Sequence, residues 1–341
     1  MMRVSSGAMR LLLLLLLLAP RSSALAAVPT LALSHVPGSA SVTIPRVLLG
    51  TGGGGGGYDV RAWLTLGGPG FDTAQTYCYS SAAPFCSQVA IANTLAAAPP
   101  SSPPFLVSKI EPEDFGDEAA LNGFGRAVSR GILQEMSLAR LDLLMFHQAG
   151  RAADASNTRP PCFNESAVAD GRGAYADCRI ATFRAMQALV GAGVARAIAV
   201  SNWQQRDLQQ VYDATGAWPS ALEVEVHPLW HEDALLDFCA ARNITIINYA
   251  PLAVSPAHGL LQLPALLAAA AAHGVTPAQA ALRWGLQRTG GVVIPRSANA
   301  SHMRDNLDPA LFTFALSQSE MAAIGNQPQK KIFNVYCQPW C

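Results

Sequence analysis

Short apolar segments rich in Val, Ile and Leu recur along this chain, and each is followed by a longer stretch whose apolar positions return at helical spacing. Eight such segments stand out: Val47-Leu48-Leu49, Gly70-Phe71-Asp72, Phe105 to Lys109, Asp142 to His147, Ala197 to Asn202, Leu222 to His227, Ile244 to Tyr249 and Val292-Val293-Ile294. Strand then helix, repeated, is the pattern of βα units on a parallel sheet, and eight of them predict an α/β fold closed into a (β/α)8 TIM barrel. Several helix ends are legible. Thr276 can cap a helix with Pro277 at its first position, and Ser317-Gln318-Ser319-Glu320 reads as a capping box. The alanine-rich run from Leu266 to Ala272 predicts a helix, because Leu260, Leu261, Leu263, Leu266 and Leu267 supply a face to bury.

Two stretches break the pattern and read as loops: the six glycines Gly52 to Gly57, and a mostly polar insert from Ala149 to Cys178. The glycine run lacks the Lys-Ser or Lys-Thr of a phosphate-binding loop, so it is read as a flexible connection. The chain start adds a third feature: Arg3 and Arg10, eight leucines from Leu11 to Leu18, then small residues through Ala27. That layout predicts a signal peptide, since its apolar core falls well short of the ~20 residues of a spanning helix. The expected organisation is a signal peptide over 1–26, an N-terminal segment over 27–45, one barrel over 46–326 with an insert at about 149–178, and a tail over 327–341.

Charge narrows the partners. Lys plus Arg (23) balances Asp plus Glu (23), which leaves no field to attract nucleic acid or an anionic membrane. A small-molecule partner, a monomer and no stable membrane anchor are expected. The seven cysteines fall into the local pairs Cys78/Cys86, Cys162/Cys178 and Cys337/Cys341 with Cys239 left over, which suits an oxidising compartment, although nearby thiols can equally stay reduced. Sequons at Asn164, Asn243 and Asn299 agree with a glycoprotein of the secretory pathway.

The candidate chemistry is positional. Asp72, Lys109, His147, Ser201-Asn202 and Tyr249 close apolar runs at the C-terminal ends of strands, where barrel active sites are built and where packing gives a charge no reason to be. Other histidines (His227, His231, His258, His273) lack metal-ligand spacing, and no metal is expected. Phe71-Asp72-Thr73-Ala74-Gln75-Thr76-Tyr77 resembles a segment of the aldo-keto reductase family. Val107-Ser108-Lys109, Leu143 to His147, Ala197 to Trp203, Val226-His227-Pro228, Tyr249 to Leu252 and Ile294 to Asn306 are similar to its later segments, in order, from about Leu48 to Gly325.

The resemblance implies an oxidoreductase that reduces aldehydes or ketones, reversibly, with hydride from NADPH. It implies a catalytic tetrad of Asp72, Tyr77, Lys109 and His147. A phenol can protonate the oxygen that gains charge, but with a pKa of about 10 it needs the Lys109 ammonium, held by Asp72, to ease proton release. It also implies NADP(H) contacts at Gly50, Thr51, Gly52, Asp72, Ser201, Asn202, Glu223, Tyr249, Leu252, Arg296, Ser297, His302, Asp305 and Asn306, with Arg296 suited to a 2′-phosphate. Three positions depart from the family pattern: Glu223 stands for a glutamine, Leu222 for an asparagine and His302 for an arginine. An ionised glutamate accepts hydrogen bonds but cannot donate, which predicts weakened cofactor binding. The alternative is a non-catalytic NADP(H)-sensing or binding protein on the same barrel. The leader points to secretion, retention in the endoplasmic reticulum lumen, or passage to a complex plastid by a two-part signal.

Overall fold

The computed structural model describes residues 27–38, 41–52, 57–78, 86–116, 127–150, 162–164, 166 and 171–333; the leader, Gly53 to Gly56, most of the insert and Cys337/Cys341 lie outside them. An antiparallel hairpin of β1 (Thr30–Ala32) and β2 (Thr43–Pro45) precedes the barrel strands β3 (Leu49–Gly50), β4 (Gly70–Asp72), β5 (Phe105–Ile110), β6 (Leu141–Phe146), β7 (Ala195–Ser201), β8 (Ala221–Glu225), β9 (Thr245–Tyr249) and β10 (Val292–Val293). These eight pair in parallel in sequence order. Val47 pairs with Val293, and Leu48 N–H donates to the Val293 carbonyl, so the last strand returns to the first and the sheet closes. The predicted (β/α)8 TIM barrel is the fold.

Helices lie in the connections as the pattern predicts: α1 (Val60–Thr65), α2 (Ser87–Ala97), a π-type α3 (Ala127–Gln134), α4 (Ala176–Gly191), α5 (Gln205–Thr215), α6 (Asp233–Ala240), α7 (Pro264–His273), α8 (Pro277–Thr289), α9 (Ala300–Leu307) and α10 (Gln318–Gly325). Thr276 and Ser317 form the expected capping boxes with Gln279 and Glu320. The insert differs from the all-loop expectation. Gly171–Ala174 is helical and α4 begins at Ala176, so Cys178 sits in its first turn, buried and bonded to Cys162. The Cys78–Cys86 disulfide forms as well, and Cys239 is free, its thiol pushed up to about 12 by burial.

The strand period of two explains what the barrel does with its side chains. Leu106, Ile110, Leu144, Phe146, Ile198, Val200, Leu222 and Ile246 face outward and pack with the helices. The alternate positions Phe105, Val107, Leu143, Met145, Ala197, Ala199, Ala221 and Ile247 fill the interior, together with Leu33, Val42 and Ile44 from the hairpin region. Stepping two residues further along the same inward parity reaches Lys109, His147, Ser201, Glu223 and Tyr249. The polar residues therefore gather at one end of an otherwise apolar barrel.

Candidate active site

Asp72, Tyr77, Lys109 and His147 come together as the sequence implies. Lys109 is wholly buried on β5, and its Nζ donates to Asp72 Oδ1 at 2.6 Å, Asp72 Oδ2 at 2.8 Å and the Thr73 carbonyl at 3.1 Å. The same ammonium lies 5.2 Å from the centre of the Tyr77 ring. Burial alone would lower the pKa of Lys109, but Asp72, Glu223 and Tyr77 outweigh it and hold the ammonium above its ordinary value. The charged form is thus favoured, and it is placed to stabilise negative charge developing on the Tyr77 oxygen. His147 Nε2 stands 3.4 Å from the Tyr77 hydroxyl, with the rings edge to face.

A cavity of about 910 Å³ opens on this cluster. Gly50, Gly52, Asp72, Tyr77, His147, Ser201, Asn202, Glu223, Tyr249, Leu252, Arg296 and Ser297 line it, all of them expected site residues. Thr51 lies behind the wall, its hydroxyl donating to the Asp72 carbonyl at 2.8 Å, and Lys109 acts from beneath it. His302, Asp305 and Asn306 sit on α9 outside the lining, His302 exposed and Asn306 buried. Gly52 is glycine for a visible reason. A Cβ there would fall 2.7 Å from Tyr77 Cζ and 2.9 Å from its oxygen.

Asn202 knits three strand ends together. It adopts a left-handed backbone with φ of 60°, its amide donates to the His147 carbonyl and Ser201 Oγ, both at 3.0 Å, and its oxygen accepts from the Tyr249 hydroxyl at 2.9 Å. Leu222, read as a missing polar contact, points the other way into the packing against the helices.

Glu223 bears on the expectation of weakened binding. Burial, with Asp72 beside it, raises its pKa well above the usual carboxylate range against the opposing pull of Lys109, whose Nζ is 3.4 Å from Oε1. A neutral carboxyl can donate. Its Oε2 is buried, has no hydrogen-bond partner among the described residues and belongs to a residue of the cavity wall.

Two features escape the sequence reading. Glu111, just past the end of β5, puts its Oε1 against His147 Nδ1 and accepts the Thr76 hydroxyl at 2.8 Å. The chain after α10 folds back as a strap: the Ile332 and Phe333 N–H groups donate to the buried Glu225 carboxylate at 2.7 and 3.0 Å, and Phe333 packs edge-on against Tyr249 in the cavity. Glu225 also pairs with His227 at 2.9 Å, which accounts for that histidine.

Residues 58–326 match the sequence profile of the Aldo/keto reductase family. The chain belongs to that family. It is similar to an aldo-keto reductase of Mycolicibacterium smegmatis, 30% identical over 88% of this chain and 90% of the relative. A family 4 aldo-keto reductase of Arabidopsis thaliana is 39% identical over 37% of this chain, and the match spans 41% of that relative, less than half its length. Among solved structures, the fold resembles an aldo-keto reductase from a deep-sea metagenome library, with a TM-score of 0.70, 24% identity and 91% and 99% of the two chains covered. It likewise resembles the aldose reductase of Schistosoma japonicum, with a TM-score of 0.69, 24% identity and 89% and 94% covered.

Proposed function

We propose that this aldo-keto reductase reduces small aldehydes or ketones with NADPH, Tyr77 acting as general acid. The observation that carries the reading is the buried Asp72–Lys109 pair beneath a phenol at the mouth of a closed barrel. A bound reduced nicotinamide would supply the hydride. Ser201 and Glu223 offer polar groups to its carboxamide, Tyr249 an aromatic ring, and Arg296 with Ser297 a guanidinium and hydroxyl for a 2′-phosphate. As charge builds on the substrate oxygen, the Tyr77 O–H bond breaks toward it, and Lys109 stabilises the phenolate left behind. Asp72 keeps that ammonium charged and placed; apolar residues from Leu252 to Leu261 restrict water around the reacting carbon.

The leader and the two disulfides support a route through the secretory pathway. The test is fluorescence titration of the mature protein with NADPH and NADH, followed by a panel of aldehydes and ketones. Micromolar NADPH binding is expected, with turnover about a hundred-fold or more lower in Tyr77→Phe. Tight binding with no turnover on any carbonyl replaces the reductase by a cofactor sensor.

A further inference from the structure

Glu111 stands outside the tetrad, yet it is as buried as Asp72 and His147 within it, at 3% exposure. β5 ends at Ile110, and Pro112 opens a turn immediately after, so the carboxyl tucks in beside the imidazole instead of facing solvent with Glu113 and Asp114. Its Oε1 meets His147 Nδ1 and accepts the Thr76 hydroxyl, which lies 3.3 Å from the same nitrogen. At the far edge of the ring, Nε2 faces the Tyr77 hydroxyl at 3.4 Å. The backbone of His147 is fixed at both ends, its N–H donating to the Ile110 carbonyl at 2.9 Å and its carbonyl accepting from Asn202 at 3.0 Å. An imidazole is thereby clamped between a buried carboxyl and a phenol.

The two ring nitrogens are not equivalent in this setting. A carboxylate only accepts, and the Thr76 proton already points to Glu111, so the group at Nδ1 has to be an N–H. We propose that Glu111 is a positioning residue that keeps the proton of neutral His147 on Nδ1, so that Nε2 is the nitrogen exchanging a proton with Tyr77. The catalytic consequence rests on the reductase reading. After the Tyr77 proton has gone to the product oxygen, the lone pair at Nε2 of His147 takes up a proton from solvent in the cavity, and this Nε2–H is handed to the phenolate. That N–H bond breaks as the phenol O–H forms. The ring returns to neutral, with its Nδ1–H still on Glu111 and its lone pair back on Nε2. One solvent proton replaces the one given to the substrate, and Glu111 ends unchanged.

Nitrogen-15 NMR of histidine-labelled protein, with neither cofactor nor substrate, reads the ring directly, His147 being assigned by its loss in His147→Gln. The expected result is a protonated Nδ1 and a lone-pair Nε2 for the neutral ring in wild type, with mixed tautomers in Glu111→Gln, whose amide can turn either end to the ring. A neutral ring protonated at Nε2 in wild type overturns the proposal. In the reductase assay, Glu111→Gln should lower kcat about ten-fold or more with KM changed less than about three-fold. The double variant Glu111→Gln/His147→Gln should match His147→Gln within about two-fold, because Glu111 acts through that ring. Losses that multiply in the double variant overturn the proposal, since a merely structural carboxyl would weaken both backgrounds alike. The wild-type NMR result decides even where a variant fails to fold. The expected tautomer in a chain that turns over no carbonyl supports the Glu111 assignment while refuting the reductase.

Discussion

Replacing Lys109 with Met removes an ammonium that donates three hydrogen bonds, of 2.6, 2.8 and 3.1 Å, in a fully buried position. Methionine nearly matches lysine in volume, so the cost is electrostatic, with little contribution from a cavity. Stripping one partner from a buried ion pair costs about 3–5 kcal/mol, because the remaining carboxylate is left uncompensated. Here two carboxyls are left, Asp72 and Glu223, and Glu223 already holds its proton above the usual range because of burial and Asp72. Without Lys109, the one charge that pulls its pKa down, Glu223 resists ionisation further. A carboxyl whose folded pKa lies above its unfolded value binds protons on folding, so the fold loses stability as pH rises from about 4 toward that folded value. The wild-type lysine contributes the opposite way: its raised pKa gives stability fully present below about 10 and lost only above the folded value. Lys109→Met should therefore unfold close to wild type at pH 5 and roughly 6–20 °C lower at pH 8. Thermal unfolding followed by tryptophan fluorescence at pH 5, 6.5 and 8 measures it. A deficit equal at all three pH values, or under about 2 °C at pH 8, would refute Lys109 as the counter-ion of this cluster.

Gly52→Ala should lower kcat by about a hundred-fold while leaving unfolding within a few degrees, since its Cβ forces the Tyr77 oxygen out of place without touching the core; unchanged turnover would show that the phenol position is not limiting. Glu225→Ala removes the acceptor of the Ile332 and Phe333 N–H groups, so limited trypsin digestion at Lys330 and Lys331 should speed up by about ten-fold or more, and an unchanged rate would mean the strap is held elsewhere. Asp114 is raised to about 6 by burial and by the charges of Glu113 and Glu111, so it lowers stability as pH climbs from about 4 to 6; Asp114→Asn should gain about 1 kcal/mol at pH 7, discounted for its partial exposure, and nothing at pH 3.5, which urea unfolding at the two pH values checks.

The barrel and its mouth are legible because both depend on one periodicity. Eight Val-, Ile- and Leu-rich segments mark the strands, and within each the alternation decides which side chains enter the barrel. Val107 predicts Lys109, Met145 predicts His147 and Ala199 predicts Ser201 as inward neighbours, so a polar residue on the inward parity at a strand end marks the barrel mouth in the sequence itself. Leu222 shows the converse. It neighbours Glu223 in sequence, but its parity is outward, and it packs against the helices. Closure of the ring adds what no single strand carries, since it sets Asp72 of β4 and Glu223 of β8 around one ammonium.

Glu111 and Glu223 mark where sequence reading stops, for the same physical reason. Glu111 belongs to the run Glu111-Pro112-Glu113-Asp114, whose composition is that of a solvated turn. Its neighbours behave as that composition suggests, Glu113 and Asp114 being partly exposed, whereas Glu111 is buried on the imidazole. Glu223, read as an ionised acceptor at a donor position, has its pKa raised by burial and by Asp72. In both cases the residue type is visible in the chain, while its protonation and orientation depend on charges brought from other strands. The tetrad positions follow from a one-dimensional pattern. The proton positions that make such a tetrad work are set by cross-barrel distances of 3.4 Å or less, and those exist only after the sheet has closed.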